Sequence, residues 1–310
     1  MSHTILYTSD THGNPLQLEH LLQHARAIKA DTLIVAGEIA PKWPQDMQEY
    51  LSEQQEFVRN ALPSFARRCK NTLPKMRLFI GLGNDDAAVL LPILEQYEQE
   101  GFFKLLNKRH ALTPQHDIVG YGYVPITPFG IKDWEKYDLS QPKPEQAQAY
   151  EHLKRTNYCL QGIKSSRLGW HEFSFTPHLE QRDSIQKDLE KEIYTKNAKT
   201  TLYVFHAPPY NTVLDMLHSR EHVGSLAVRA FIENHQPFAT LHGHIHETVD
   251  VSGAYRASFI PGFTVSMSAG NHNEGGLVAA LVFDVDKPEK AQRILLPKLG
   301  IFSFLKRKKS

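Results

Sequence analysis

The chain has 310 residues, 41% of them hydrophobic, enough to bury one large core or two smaller ones. A formal net charge of +1 supplies no global attraction to nucleic acid or to an anionic membrane. Its two cysteines, Cys69 and Cys159, lie far apart without zinc-type spacing, which argues against a disulfide framework and a thiolate metal site.

The N-terminus lacks the basic start and apolar stretch of a signal peptide, and no run approaches membrane-spanning length, so a cytoplasmic protein is expected. Ile5 to Thr8 reads as a buried strand ending at Asp10. With Asn14 as N-cap and Pro15 as first helical residue, Leu18, Leu21, Leu22, Ala25 and Ile28 then recur at helix spacing. Thr32 to Ala36 is a second strand, closed by Gly37-Glu38. A helix between Gln45 and Arg68 follows, with Met47, Leu51, Val58 and Leu62 on one face. Arg77 to Ile80 is a third strand. Its turn runs from Gly81 to Asp86, and Ala87 to Gln96 is helical with a kink expected at Pro92.

Ile118 to Val124 alternates like a strand. Pro125 to Thr176 has no period and holds Trp134, Tyr137 and Trp170; it reads as an irregular insertion or cap, over about residues 125–180 of a single 1–310 domain. Ser184 to Ile193 is a short amphipathic helix, Thr201 to Phe205 a strand ending at His206, and Ser225 to Asn234 a helix leading into the strand Phe238 to Leu241. The next turn holds Gly243 to Glu247. Phe263 to Ser268 and Leu277 to Asp286 read as antiparallel strands. At the end, Phe302, Phe304 and Leu305 precede Lys306, Arg307, Lys308 and Lys309. A solvated basic tail over about residues 300–310 is preferred to weak contact with an anionic membrane.

The chemistry lies in the turns. In sheets covered by helices, sites gather at the carboxyl ends of strands, where loops present side chains without breaking the core. Five polar motifs stand at such ends: Asp10-Thr-His12, Gly37-Glu38, Gly83-Asn84-Asp85, His206 and Gly243-His244-Ile-His246. Side chains two apart leave the same side of an extended segment, so Asp10 with His12, and His244 with His246, can each reach one metal centre. Imidazole, carboxylate and amide oxygen without thiolate suit Mn, Fe or Zn, with Ni and Co as further options. Taken singly, each motif is a cap, a turn or a solvated histidine. Their order along the chain is what gives them weight.

That ordered set resembles the calcineurin-like metallophosphoesterases, whose pattern is Asp-x-His, Gly-Asp, Gly-Asn-His, a lone His and Gly-His-x-His. The resemblance spans Asp10 to His246. It implies an α/β fold, a four-layer α/β/β/α sandwich of two mixed sheets with flanking helices, the metallo-dependent phosphatase fold. It further implies that Asp10, His12 and His246 hold one divalent ion, that Asn84, His206 and His244 hold a second, and that Glu38 bridges them. The implied reaction is hydrolysis of a phosphate ester by a water activated between the ions, roughly 3.5 to 4 Å apart, with Asn84 and His206 next to the chemistry.

Two positions depart from the pattern. Glu38 replaces the bridging Asp, and Asp85 replaces the imidazole after Gly-Asn. Asp85 can act as leaving-group acid only with a raised pKa; otherwise a water on the metals, or a good leaving group, takes that part. Tyr210 and Arg229 are the candidate substrate contacts, while His242 is read as a packing histidine that orients a ligand. The expected substrate is a small-molecule phosphate ester, with phosphodiester or nucleotide-type esters slightly favoured and nucleic acid disfavoured by the neutral charge. The alternatives are a metal-binding member that does not catalyse and a scaffold recruiting partners through cap and tail.

Overall fold

Apolar runs that bury both of their faces stack this molecule in four layers. In the computed structural model, which describes residues 2–42, 46–258, 264–272 and 275–297, one six-stranded sheet has the spatial order Gln292–Leu296, Val278–Asp284, Thr4–Ser9, Thr32–Ala36, Arg77–Gly81 and Lys104–Leu105. The other has the order Arg256–Ser258, Val265–Ser268, Ala239–His242, Thr201–Phe205, Asp117–Tyr121 and His110–Ala111. The last four strands of the first sheet are mutually parallel. So are the four central strands of the second.

Alternation of side chains across each strand assigns the layers. Ile5 and Tyr7, Ile34 and Ala36, and Leu202 and Val204 meet between the sheets, together with Leu241, Met267 and Leu281. Their neighbours Leu6, Leu33 and Val35 face outward, under the helices Pro15–Ile28, Met47–Glu56 and Leu62–Thr72. Tyr203 and Phe205 face the other way, under the helix Leu226–His235. The architecture is the α/β/β/α sandwich of two mixed sheets that the resemblance implies.

The local signals explain most element boundaries. The Asn14 side chain accepts from the N–H groups of Leu16 and Gln17, and Pro15 opens the helix that buries Leu18, Leu21, Leu22 and Ala25. Pro92 does not kink its helix: it occupies the first turn of Leu91–Gln99, after a 3-10 turn at Ala88–Leu90, where a missing N–H costs nothing. The predicted helix after Gly37-Glu38 begins at Met47, Gln45 lying outside the described residues, and passes through a π turn at Phe57–Ala61 before Leu62–Thr72. Pro63 is the physical reason, since it lacks the N–H that would continue the α ladder. Leu51, Val58 and Leu62 are buried as expected, whereas Met47 is exposed.

Three further regions differ from the sequence reading. Val265–Ser268 runs parallel to Ala239–His242, because the chain first returns through Thr248–Ser252 and Arg256–Ser258; Phe263 lies outside the described residues. Val278–Asp284 is antiparallel to Thr4–Ser9, as predicted. The stretch from Pro125 to Thr176 is more regular than expected, with a helix at Pro144–Thr156 and a hairpin of Gln161–Ser166 with Gly169–Ser174. The hairpin is half-exposed on both faces, so it left no two-residue period to read. Trp170 of that hairpin donates to the Met47 carbonyl at 2.6 Å, and Trp134 is buried in the outer core, so both rings pack the fold. Ser184 to Ile193 divides into the short helices Ile185–Leu189 and Glu192–Thr195. The basic tail at 300–310 lies outside the described residues. Among the described residues no helix is long and apolar enough to cross a membrane.

Candidate metal centre

The parallel strands of both sheets end on the same side, and their ladders continue just past the strand ends. Asp10 N–H donates to the Gly37 carbonyl at 3.0 Å, Gly37 N–H to the Gly81 carbonyl at 2.9 Å, and His12 N–H to the Glu38 carbonyl at 2.8 Å. In the second sheet His206 N–H donates to Tyr121 at 2.9 Å and Gly243 N–H to His206 at 3.1 Å. Two contacts lock the sheets together here: Tyr7 Oη donates to the His242 carbonyl at 2.8 Å, and His244 N–H to Asp10 Oδ1 at 3.3 Å. Asn271, which the sequence does not flag, donates through Nδ2 to the carbonyls of Ser9 and Asp10 at 2.9 and 3.2 Å.

Sharp turns aim the side chains inward. Asp10, His12, Glu38 and His244 have φ of 56°, 45°, 45° and 67°, in the left-handed region that residues with a Cβ avoid. Such conformations are held against a cost of order 1 to 3 kcal/mol each and cluster at functional sites. The glycines of the motifs are equally constrained. A Cβ at Gly37, whose φ is +76°, would lie 2.3 Å from His206 Nδ1, and one at Gly83 would lie 2.7 Å from His206 Nε2.

Two overlapping groups of donors result. Ligand atoms of His12, Glu38 and His246 lie within 4.8 Å of one another, as do those of Glu38, His206 and His244. Glu38 belongs to both. Its Oε2 is 3.1 Å from His12 Nε2 and 3.1 Å from His246 Nε2, and its Oε1 is 3.8 Å from His206 Nε2. Asp10 Oδ1 lies between the groups, 3.8 Å from His206 Nδ1 and 4.0 Å from His246 Nε2. Asn84 Oδ1 is 2.9 Å from His206 Nε2. All seven residues named from the sequence as metal ligands therefore meet, and the extra methylene of Glu38 reaches both groups.

The electrostatics describe a pocket built for cations. Burial opposes ionisation of Glu38, yet the surrounding His12, His206 and His246 hold its carboxyl well below the ordinary value. Burial also opposes protonation of His206 and His246, but the Glu38 and Asp10 carboxylates raise both, His246 to about 9. His244, buried and beside His206, is lowered to about 3 and is a neutral donor. Nδ1 of His12 and Nδ1 of His206 are buried without a hydrogen-bond partner. Buried polar atoms of native proteins are normally satisfied. Orphaned imidazole nitrogens around a shared carboxylate fit bound divalent ions.

A pH dependence follows. An imidazole must be neutral to donate to a metal, and His246, raised to about 9, carries a proton at pH 7 in the metal-free protein. Metal loading at pH 7 is thus expected to expel protons, and apparent affinity to fall by about tenfold per unit of decreasing pH for each proton displaced. Calorimetric titration in two buffers of different ionisation enthalpy counts the protons. No release at pH 7 would contradict the assignment.

Around the centre, some predicted roles move. Asp85 is buried, and its Oδ2 pairs with Lys42 Nζ at 2.5 Å, a partner the sequence did not suggest. Burial and the Glu38 charge push its carboxyl up to about 6, against the pull of Lys42. Asp86 is buried too, and accepts from the N–H groups of Ile39, Ala40 and Gly83, joining the loops that carry Glu38 and Asn84. His242 is fully buried against Thr240 Oγ1 and the Ala207 carbonyl, the packing role expected of it.

Tyr210 and Arg229 are not brought to the centre. They line a separate cleft with Lys143, Gln146 and Glu233, and Arg229 bonds to the carbonyls of Tyr210 and Asn211 and to Glu233. The loop after His206 leaves the centre, and Arg229 holds it there through the Tyr210 and Asn211 carbonyls. The cleft that does open onto Glu38, His244 and His246, of about 230 Å³, is lined by Lys42, Ile126, Thr127, Phe129, Leu217 and Val223 among others. Those linings come from irregular segments whose residue types carry no ligand signal, and the sequence reading passed over them.

Comparison with known proteins bears on the fold and the family. One solved crystal structure superposes with a TM-score of 0.57 at 14% identity, covering 95% of this chain and 98% of its own. TT1561 of Thermus thermophilus superposes with a TM-score of 0.52 at 14% identity, covering 95% of this chain and 99% of its own. Both likenesses concern the fold. Uncharacterized protein MJ1162 of Methanocaldococcus jannaschii is 44% identical over 69 residues, 19% of this chain, which spans about a third (32%) of the length of that relative. Residues 3–248 match the model of the calcineurin-like phosphoesterases, and every motif of the metal centre falls within that span. By that match, over most of its length and through all the residues of the candidate centre, the chain belongs to the calcineurin-like phosphoesterase family.

Proposed function

We propose that the chain is a dinuclear, divalent-metal-dependent phosphoesterase acting on a small organic phosphate ester, with phosphodiester or nucleotide-type esters favoured. The observation that carries this reading is the sharing of Glu38 by two donor groups. In it, His12 and His246 with Asp10 would hold one ion, His206 and His244 with Asn84 would hold the other, and Glu38, common to both donor groups, would contribute to each. Two divalent ions bound there would supply Lewis-acid activation of a water and neutralisation of the phosphoryl oxygens. The chain's own part is arrangement. Asp10 and Glu38 supply the negative charge that keeps the ions, and the uncharged amide of Asn84 leaves the centre net positive toward an anionic ester.

The cleft favours a small ester over a polymer. Ile126, Pro128, Phe129, Leu217 and Val223 give it apolar walls beside the donor groups, which receive an organic substituent more readily than a second phosphate. A diester carries a single charge and two such substituents. The nitrogen and oxygen donor set supports Mn, Fe or Zn. Both cysteines are free, Cys69 buried and Cys159 exposed, which supports a reducing, cytoplasmic setting.

Metal analysis combined with assays in Mn, Fe and Zn tests the reading, with bis-p-nitrophenyl phosphate, p-nitrophenyl phosphate, cyclic nucleotides and nucleotide anhydrides as substrates. Two ions per chain and a higher kcat/KM for the aryl diester than for the monoester are expected. Two ions with no hydrolysis of any ester would overturn it in favour of a binding protein.

A further inference from the structure

Asp85 stands where the family pattern has an imidazole, and what it holds is a lysine. Lys42 Nζ lies 2.5 Å from Asp85 Oδ2; the Lys42 side chain keeps 32% of its exposure and that of Asp85 8%, so a buried carboxylate anchors a cation that reaches the cleft. That cleft is the one onto which Glu38, His244 and His246 open. On its other side the ammonium lies 5.7 Å from the centroid of the Phe129 ring, a cation–π contact that restricts its swing.

Asp85 is itself fixed in place. Its carbonyl accepts from Tyr50 Oη and Gln54 Nε2, both at 2.8 Å, and its Oδ1 accepts from Asn84 Nδ2 at 3.2 Å. One carboxylate thus orients the Asn84 amide with one oxygen and the Lys42 ammonium with the other. A bare carboxylate here would repel an anionic substrate; paired with Lys42 it does not. An ammonium has three donors, so the ion pair with Asp85 is compatible with donation to a phosphoryl oxygen.

We propose that Lys42, tethered by Asp85, is the chain's own cation for the phosphoryl group of the substrate, and that Asp85 is a positioning residue in the place of the family's imidazole. The inference rests on the phosphoesterase reading above. It assigns to the Lys42–Asp85 pair the charge that an imidazolium would carry, drawn from a loop after Gly37-Glu38 and not from the Gly-Asn turn itself.

The test uses full-length, metal-loaded protein, with inorganic phosphate binding followed by calorimetry, metal content by elemental analysis, and KM and kcat on bis-p-nitrophenyl phosphate. Lys42→Met is expected to keep both metals, to weaken phosphate binding about 10- to 100-fold, the weight of one charge-assisted hydrogen bond, and to raise KM more than it lowers kcat. Asp85→Asn keeps an oxygen for Asn84 but removes the charge that holds Lys42. It is expected to weaken phosphate binding alone and to add nothing in the Lys42→Met background, the non-additivity of residues acting as a unit. Unchanged phosphate affinity in Lys42→Met overturns the proposal. So does tighter phosphate binding in Asp85→Asn, which would mark Asp85 as a repulsive charge, or a loss of kcat alone, which would mark it as a leaving-group acid. Wild-type protein that holds two metals yet neither binds phosphate nor cleaves any ester overturns the phosphoesterase reading, and the proposal with it.

Discussion

Asp10→Ala and His244→Ala are each expected to lower kcat/KM for phosphate-ester hydrolysis by about 10³-fold or more. The basis is that the ions contribute several kcal/mol of transition-state stabilisation, and about 4 kcal/mol corresponds to about 10³-fold in rate. Asp10 is 1% exposed, and its Oδ1 lies within 4.0 Å of imidazole nitrogens from both donor groups while accepting the His244 N–H. Truncation removes an anion from between the two donor groups and unties the turn of the second sheet from the first. His244 acts on one group only. Its neutral imidazole is the donor most ready for a metal, so its loss is expected to empty the group with Glu38 and His206 first. Elemental analysis beside kinetics separates the two: about one ion per chain remaining in His244→Ala, and weaker retention of both in Asp10→Ala. Wild-type rates in either variant would contradict catalysis by a shared dinuclear centre.

The candidate ligands are legible in the sequence because each is a polar residue that interrupts a run of buried ones. Thr32–Ala36 and Thr201–Phe205 are buried along their whole length, and the next informative residues, Glu38 and His206, have no apolar reading to compete with. Spacing also carried Asp10 with His12 and His244 with His246 to one centre, although the positive φ of three of them shows that sharp turns, not an extended segment, aim them. What failed was inference by nearness in the chain. Tyr210 follows His206 closely but leaves with a loop that Arg229 fastens to the outer helix. Lys42, in contrast, belongs to an aperiodic stretch and meets Asp85 only through the pairing of Thr32–Ala36 with Arg77–Gly81. The parallel direction of Val265–Ser268 is likewise a tertiary outcome, decided by where the chain must return.

Asp86→Ala is expected to cost about 3 kcal/mol or more of stability and to weaken metal binding about 10- to 100-fold, although Asp86 is not among the candidate ligands. The sequence shows it only as the last residue of a turn. In the structure its Oδ2 accepts from Gly83 N–H at 2.9 Å and Ile39 N–H at 3.2 Å, and its Oδ1 from Ala40 N–H at 2.9 Å. These donors belong to the loops that carry Glu38 and Asn84, so one side chain sets the separation of the Glu38 carboxylate from the Asn84 amide. Alanine leaves all three N–H groups buried and unpaired, each costing about 1 kcal/mol or more. Asparagine does not restore them, because its NH₂ group would face an N–H. Thermal unfolding of the metal-free protein reads the structural part, as a Tm lowered by about 5 °C or more. Metal titration reads the rest, and the two must fall together in Asp86→Ala, whereas His244→Ala, which removes a ligand and no loop bond, is expected to lose metal with a smaller change in the metal-free Tm. Equal Tm loss in the two variants would mean that Asp86 supports the fold at large and not the spacing of the centre.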